Sequence, residues 1–163
     1  MNNPLLRKLA NFTALSADEC QAVVESCGDV REVAAREDVI AQGDRAGGVK
    51  LLLEGFACRY KTLEDGRRQI VAYFVPGDLC DLRVFILKRM DHSIGAIAPS
   101  RIATIAPRNM LNLLHTYPTL TTAHECSARY LRRFGHDLAS ALDTCSAPHR
   151  RRCRSSTHRA RRP

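Results

Sequence analysis

The chain lacks any apolar run approaching the roughly 18 residues a membrane helix needs; its longest is Ile70 to Val75. The N-terminus places Pro4, Arg7 and Lys8 where a signal peptide would need an apolar stretch. A cytoplasmic location without membrane contact is therefore expected. None of the seven cysteines forms a C-x-x-C pair. An odd number of thiols, reduced in that compartment, offers neither a disulfide framework nor a familiar zinc site. Also missing are a G-x-S-x-G elbow, a P-loop, a dinucleotide fingerprint and any His-x-His pair, so no catalytic constellation is visible and no enzyme is expected.

What is present is the composition of one globular domain: 163 residues, 45% hydrophobic and 26% charged. At this length about two thirds of the unfolded chain's surface can be buried, so a core forms without cysteine staples. The formal charge of +8 suggests nucleic acid until it is located. Residues 145–163 hold seven arginines and no lysine or acidic residue, which leaves the other 144 residues at +1. The basicity belongs to a biased tail.

Along the chain, Asn3-Pro4 followed by Leu5, Leu6 and Leu9 has the spacing of a short helix. Ser16-Ala17-Asp18-Glu19 is a capping box opening a second one, with Cys20, Val23, Val24 and Cys27 on one face and Gly28 as its stop. From Asp29 the texture becomes short β-type segments broken at Gly43-Asp44, Gly47-Gly48, Gly55, Asp65-Gly66 and Pro76-Gly77-Asp78, the rhythm of a sandwich or jelly roll. Asp65-Gly66 centres a hairpin whose first arm alternates Cys58, Tyr60 and Thr62 against Ala57, Arg59 and Lys61. Its second arm, Gln69 to Val75, is nearly continuous in apolar residues and is expected to be buried on both faces. Further strands are expected at Val49 to Leu53, Ser93 to Ala98 and Arg101 to Ile105. A helix is expected at Arg108 to His115, packing Met110, Leu111, Leu113 and Leu114 and ending at Pro118. Weaker helical spacing runs through Tyr130, Leu131, Phe134, Leu138 and Leu142, and the residues after Thr144 have no apolar periodicity.

Gly43-Asp44, Leu51-Leu52-Leu53-Glu54-Gly55, Asp65-Gly66-Arg67-Arg68-Gln69-Ile70 and Pro76-Gly77-Asp78, in this order and spacing, resemble the sensor domain of CRP/FNR-type bacterial transcription regulators. The resemblance covers about Pro4 to Leu120. It implies an α+β, mainly β fold: a double-stranded β-helix (jelly roll) with flanking N-terminal and C-terminal helices. The division expected is 1–120 as a cyclic-nucleotide-binding-like sensor domain, 121–144 as a helical segment and 145–163 as a basic disordered tail. In the family a long helix pairs two subunits, implying a homodimer, and leads to a DNA-reading helix-turn-helix. That reader is expected to be absent from this chain. The arginine-, serine- and proline-biased ending reads as a shifted frame in a GC-rich gene, against the rival of a natural short paralogue with a basic tail.

Cyclic-AMP-binding relatives supply a Gly-Glu pair after the Gly-Asp turn, for the ribose, and then an Arg-Ser or Arg-Thr pair for the phosphate. Aligned on Pro76-Gly77-Asp78, these fall on Asp81-Leu82 and near Met90-Asp91, with Arg89 one place away. Leu82 cannot hold a ribose hydroxyl, and Asp91 would set negative charge against the phosphate. Arg89 recovers the contact only if the loop is one residue out of register. The expectation is a family-type pocket for another small effector, or for none, with Cys80, Asp81, Arg83, Arg89 and Ser93 as its candidate residues and no cofactor.

The remaining motifs have plainer readings. Cys20 and Cys27, two helical turns apart on one apolar face, suit packing better than the iron–sulfur cluster some relatives carry. Cys58 and Cys80 read as barrel residues, although Cys80 beside Asp81 and Arg83 would also suit a reactive thiol at a pocket mouth. Cys145, His149, Cys153 and His158 lack a zinc spacing, and His92, His115, His124 and His136 are scattered. The rival from another class is a cupin-like β-roll metalloenzyme. The tail arginines could give sequence-independent, salt-sensitive nucleic-acid binding, but no aromatic residue is interleaved to stack on bases.

Overall fold

Two short helices lead into the strands, and each starts as its capping residues dictate. In the computed structural model, which describes residues 3–45, 47–82, 85 and 88–125, helix α1 spans Pro4–Leu9 with the Asn3 side chain accepting from the Leu5 amide. Helix α2, Ala17–Ser26, opens with the full capping box: Ser16 Oγ accepts from the Glu19 amide at 3.2 Å, and the Glu19 carboxylate accepts from the Ser16 amide at 2.7 Å. It does not end at Gly28. The chain passes directly into strand β1, Cys27–Val33, and Gly28 lies within that strand, where a Cβ would meet the Thr104 carbonyl oxygen at 3.0 Å. Close approach of the neighbouring strand, rather than helix termination, explains that glycine. Of the expected α2 face, Val23 is buried but Val24 is exposed.

Strands β2 (Asp38–Ile40), β3 (Val49–Glu54), β4 (Ala57–Thr62), β5 (Arg68–Phe74), β6 (Ser93–Ala96) and β7 (Ser100–Ile105) follow, then helix α3, Pro107–Thr116, and a further helical stretch over 118–125. The described strands form two antiparallel sheets, ordered β1-β7-β3 and β2-β6-β4-β5. This is the expected jelly roll with helices at both ends. In α3, Met110 and Leu113 are buried as expected, whereas Leu111 faces outward.

Successive residues of a strand point to opposite faces, and β3 uses this to build two cores. Leu51 joins Leu5, Leu9, Ile105 and Met110 in a core between the roll and the helices. Leu52 joins Phe74, Cys80, Ile94 and Ile102 in the core inside the roll.

The second hairpin arm differs from expectation. In β5 only Phe74 is buried, while Ile70 and Val71 are 42% and 49% exposed. Two features account for this. β5 is an edge strand paired to β4 alone, and the register slips between Arg59↔Ala72 and Tyr60↔Ile70, leaving Val71 in a bulge. The turn itself is as expected, with Gly66 at φ +81° and the Leu63 amide donating to the Arg67 carbonyl. The helical spacing noted from Tyr130 to Leu142, the arginine tail and the Cys145/His158 set all lie outside the described residues.

Candidate functional site

The segment after β5 is fixed at its start by the Pro76-Gly77-Asp78 turn. Gly77 has φ +92°, and a Cβ there would lie 2.7 Å from the Pro4 carbonyl oxygen, so α1 can dock on this turn only over glycine. Asp78 holds the turn through the Val75 amide at 2.9 Å and pairs with Lys8 of α1. Beyond it the chain runs along β3. Gly77 N donates to Leu52 O at 2.8 Å, Leu52 N to Asp78 O at 3.0 Å, and Cys80 N to Lys50 O at 2.7 Å.

These bonds set the directions of the next side chains. Leu79 and Leu82 turn to the helix-side core and line a small apolar cavity of about 30 Å³ with Met110, Leu113 and His124. Burial lowers the pKa of His124 there. Leu82 thus points away from the roll interior. Cys80 points into the roll and is fully buried; burial first, and the Asp78 charge second, push its thiol up to about 12. It is a packed core residue, so the reading of a reactive thiol at a pocket mouth is corrected.

Asp81 has a side chain with no exposure, a costly place for a carboxylate unless cations approach it. Arg59 Nη2 lies 3.7 Å from Asp81 Oδ1, and His92 Nε2 lies 3.7 Å from Asp81 Oδ2, a separation beyond hydrogen-bond length. Arg59 also donates to the Cys80 carbonyl at 2.6 Å and sits over the Phe74 ring at 5.4 Å. His92, 1% exposed, faces Asp91 Oδ1 through Nδ1 at 2.7 Å; an ionised carboxylate only accepts, so Nδ1 carries the proton. Asp91 in turn lies 3.7 Å from Lys61 at the surface. The result is a row of alternating groups, Lys61, Asp91, His92, Asp81 and Arg59, running from solvent to the buried carboxylate.

Of the candidate residues, Cys80 and Asp81 stand together. Ser93 is buried at the start of β6, where its Oγ accepts from the Gln42 amide at 3.0 Å. Arg89 is exposed and spends its guanidinium on the Gly43 carbonyl at 2.8 Å, bridged to Arg45. Arg83 lies outside the described residues. Sequence reasoning missed Arg59, Lys61 and His92. The available signals were an arginine on the same arm face as buried Ala57, and a histidine directly following Asp91. Elsewhere, Cys20 and Cys27 pack against the helix-side core, and burial raises the thiols of Cys27 and Cys58.

A family model, "Cyclic nucleotide-binding domain", matches residues 30–117. Among curated proteins, the transcriptional activatory protein AadR of Rhodopseudomonas palustris is 44% identical over 43 residues, which is 26% of this chain and 18% of AadR. The match thus spans less than a fifth of that relative's length. Among solved structures, a cyclic nucleotide-binding domain from Methylobacillus flagellatus has a TM-score of 0.66 at 15% identity, covering 87% of this chain and 82% of that one. The sensor domain of the transcriptional regulator DNR from Pseudomonas aeruginosa has a TM-score of 0.59 at 19% identity, covering 74% of this chain and 82% of that one. At these identities the two structures establish the fold. With more than half its length matched by the family model, this chain belongs to the cyclic nucleotide-binding domain family.

Proposed function

We propose that this chain is a non-enzymatic, cytoplasmic sensor domain of a CRP/FNR-type transcription regulator whose effector is a small molecule other than a cyclic nucleotide, with residues 1–120 as the sensing unit. The observation that carries this reading is the side-chain set of the site segment. Leu82 turns to the helices, and Asp91 engages His92 and Lys61, so the ribose carboxylate and the phosphate arginine are both replaced. Homodimer formation, and sequence-independent nucleic-acid contact through the arginines of 145–163, belong to the same reading. No helix among the described residues is long and apolar enough to cross a membrane. For the cupin-like alternative, no group of three or more His, Cys, Asp or Glu side chains placed to hold a metal ion is found among the described residues.

Calorimetric titration with cyclic AMP tests the reading: no binding at micromolar concentration is expected. Micromolar or tighter affinity would overturn the assignment of Leu82 and Asp91.

A further inference from the structure

We propose that Asp81 is a built-in occupant of an anion site formed around Arg59, so that the roll is held in a filled form by its own carboxylate and takes no anionic effector there. The anion class that fits this place is a small monocarboxylate. The proposal deepens the functional reading above and rests on it only for the location of the site.

Three features carry it. First, the site is laid out for an anion before one arrives. Arg59 projects from β4, which is paired on both sides by β5 and β6; its Nη2 is anchored on the Cys80 carbonyl at 2.6 Å, and its plane lies over Phe74. A guanidinium ordered in this way loses little entropy when it meets a carboxylate. Second, the carboxylate is delivered by the chain. The Cys80 amide is tied to the Lys50 carbonyl at 2.7 Å, so the next residue enters the roll at a fixed point, with Oδ1 3.7 Å from Arg59. An intramolecular group gives up no translational freedom, so a free anion competes at a disadvantage. Third, the place is enclosed. His92 closes the side opposite Arg59 with 1% exposure, and Asp91 holds its other ring nitrogen, so removal of the Asp81 carboxylate leaves a space of carboxylate size walled by cationic and polar groups. A cyclic phosphodiester with its sugar is far larger than that space.

The test is thermal unfolding of the full chain in sodium formate against sodium chloride at equal ionic strength. Asp81→Ala is expected to lower the melting temperature by about 10 °C or more, as expected when one member of a buried ion pair is removed. Formate should restore about half of that loss in a saturable way, as expected for a ligand that binds only the folded state. The unsubstituted chain should respond equally to both salts. Asp81→Leu, which fills the space, and Asp81→Ala combined with Arg59→Met, which removes the guanidinium of Arg59, should show no formate-specific gain. If Asp81→Ala is unfolded in chloride, refolding from urea should give folded protein in formate and not in chloride; failure to fold in both overturns the proposal. So does a folded Asp81→Ala that responds equally to both salts, or a formate gain that persists without Arg59. Cyclic AMP binding by the unsubstituted chain would count against the functional reading alone and leave the formate series as the test of this one.

Discussion

Strands β3 and β5 look alike in sequence and end in opposite environments. Val49 to Leu53, apolar but for Lys50, and Ile70 to Val75 are two conspicuous apolar stretches of the strand region. In β3, Val49, Leu51 and Leu52 have no exposure, because β7 pairs along one side and the 77–80 segment bonds along the other. In β5, Ile70 and Val71 are about half exposed, because only β4 pairs with it and the bulge at Val71 breaks the register. Both strands end their sheets, so what covers the second edge of a strand, not its apolar content or its place in the sheet order, decides how much of it is buried. The consequence for the site is direct: the strand covered along both edges carries the 77–80 segment, while the hairpin contributes Arg59 and Lys61 from its inner arm.

Substitutions sharpen this contrast. The largest effect is expected for Leu51→Asp, which places an unpaired carboxylate in the helix-side core; the several kcal/mol lost is a large share of a total near 5 to 15, and the chain should be unfolded by circular dichroism. Gly77→Ala comes next. Its positive φ and the Pro4 carbonyl at 2.7 Å predict a loss of about 1 to 3 kcal/mol in urea unfolding, with α1 released from the turn. Ser16→Ala should cost about 1 kcal/mol at neutral pH by removing the cap. Bonds from the Ser16 backbone and side chain lower the Glu19 pKa. The Glu19 contribution is fully present above the ordinary carboxylate value and lost as pH falls through the depressed one, but Ser16→Ala keeps the backbone N–H that makes the larger bond to Glu19, so the cost of Ser16→Ala itself should change little in acid. The smallest effect is expected for Val71→Asp, within about 0.5 kcal/mol, because the side chain already faces water. Equal losses for Leu51→Asp and Val71→Asp would break the comparison.

Much of the fold was legible because local rules and tertiary structure agree. The capping box at Ser16, the Asp65-Gly66 turn and the Pro76-Gly77-Asp78 turn each act within a few residues, so their chemistry shows in the sequence. The exposure of β5 does not follow from periodicity, which cannot tell a strand covered along both edges from one paired along a single edge. Gly28 was misread for a similar reason: the Thr104 carbonyl that requires it comes from a strand far along the chain. Around the candidate site, the positions of Cys80 and Asp81 after the Pro76-Gly77-Asp78 turn follow from the sequence. Those of Arg59 and His92 do not, since they converge on Asp81 only when β4, β6 and the 77–82 segment close into one roll. A buried carboxylate requires a nearby cation, but the sequence does not say which of many arginines supplies it.

The most direct test of the contrast between the two strands is amide hydrogen exchange of the full chain, resolved by residue. The β3 amides of Leu51 and Leu52 should exchange only through global unfolding, and the β5 amides on the edge away from β4 should exchange orders of magnitude faster. Protection of β5 as strong as that of β3 would contradict the account, because it would require a partner covering the edge that the sheet order leaves open.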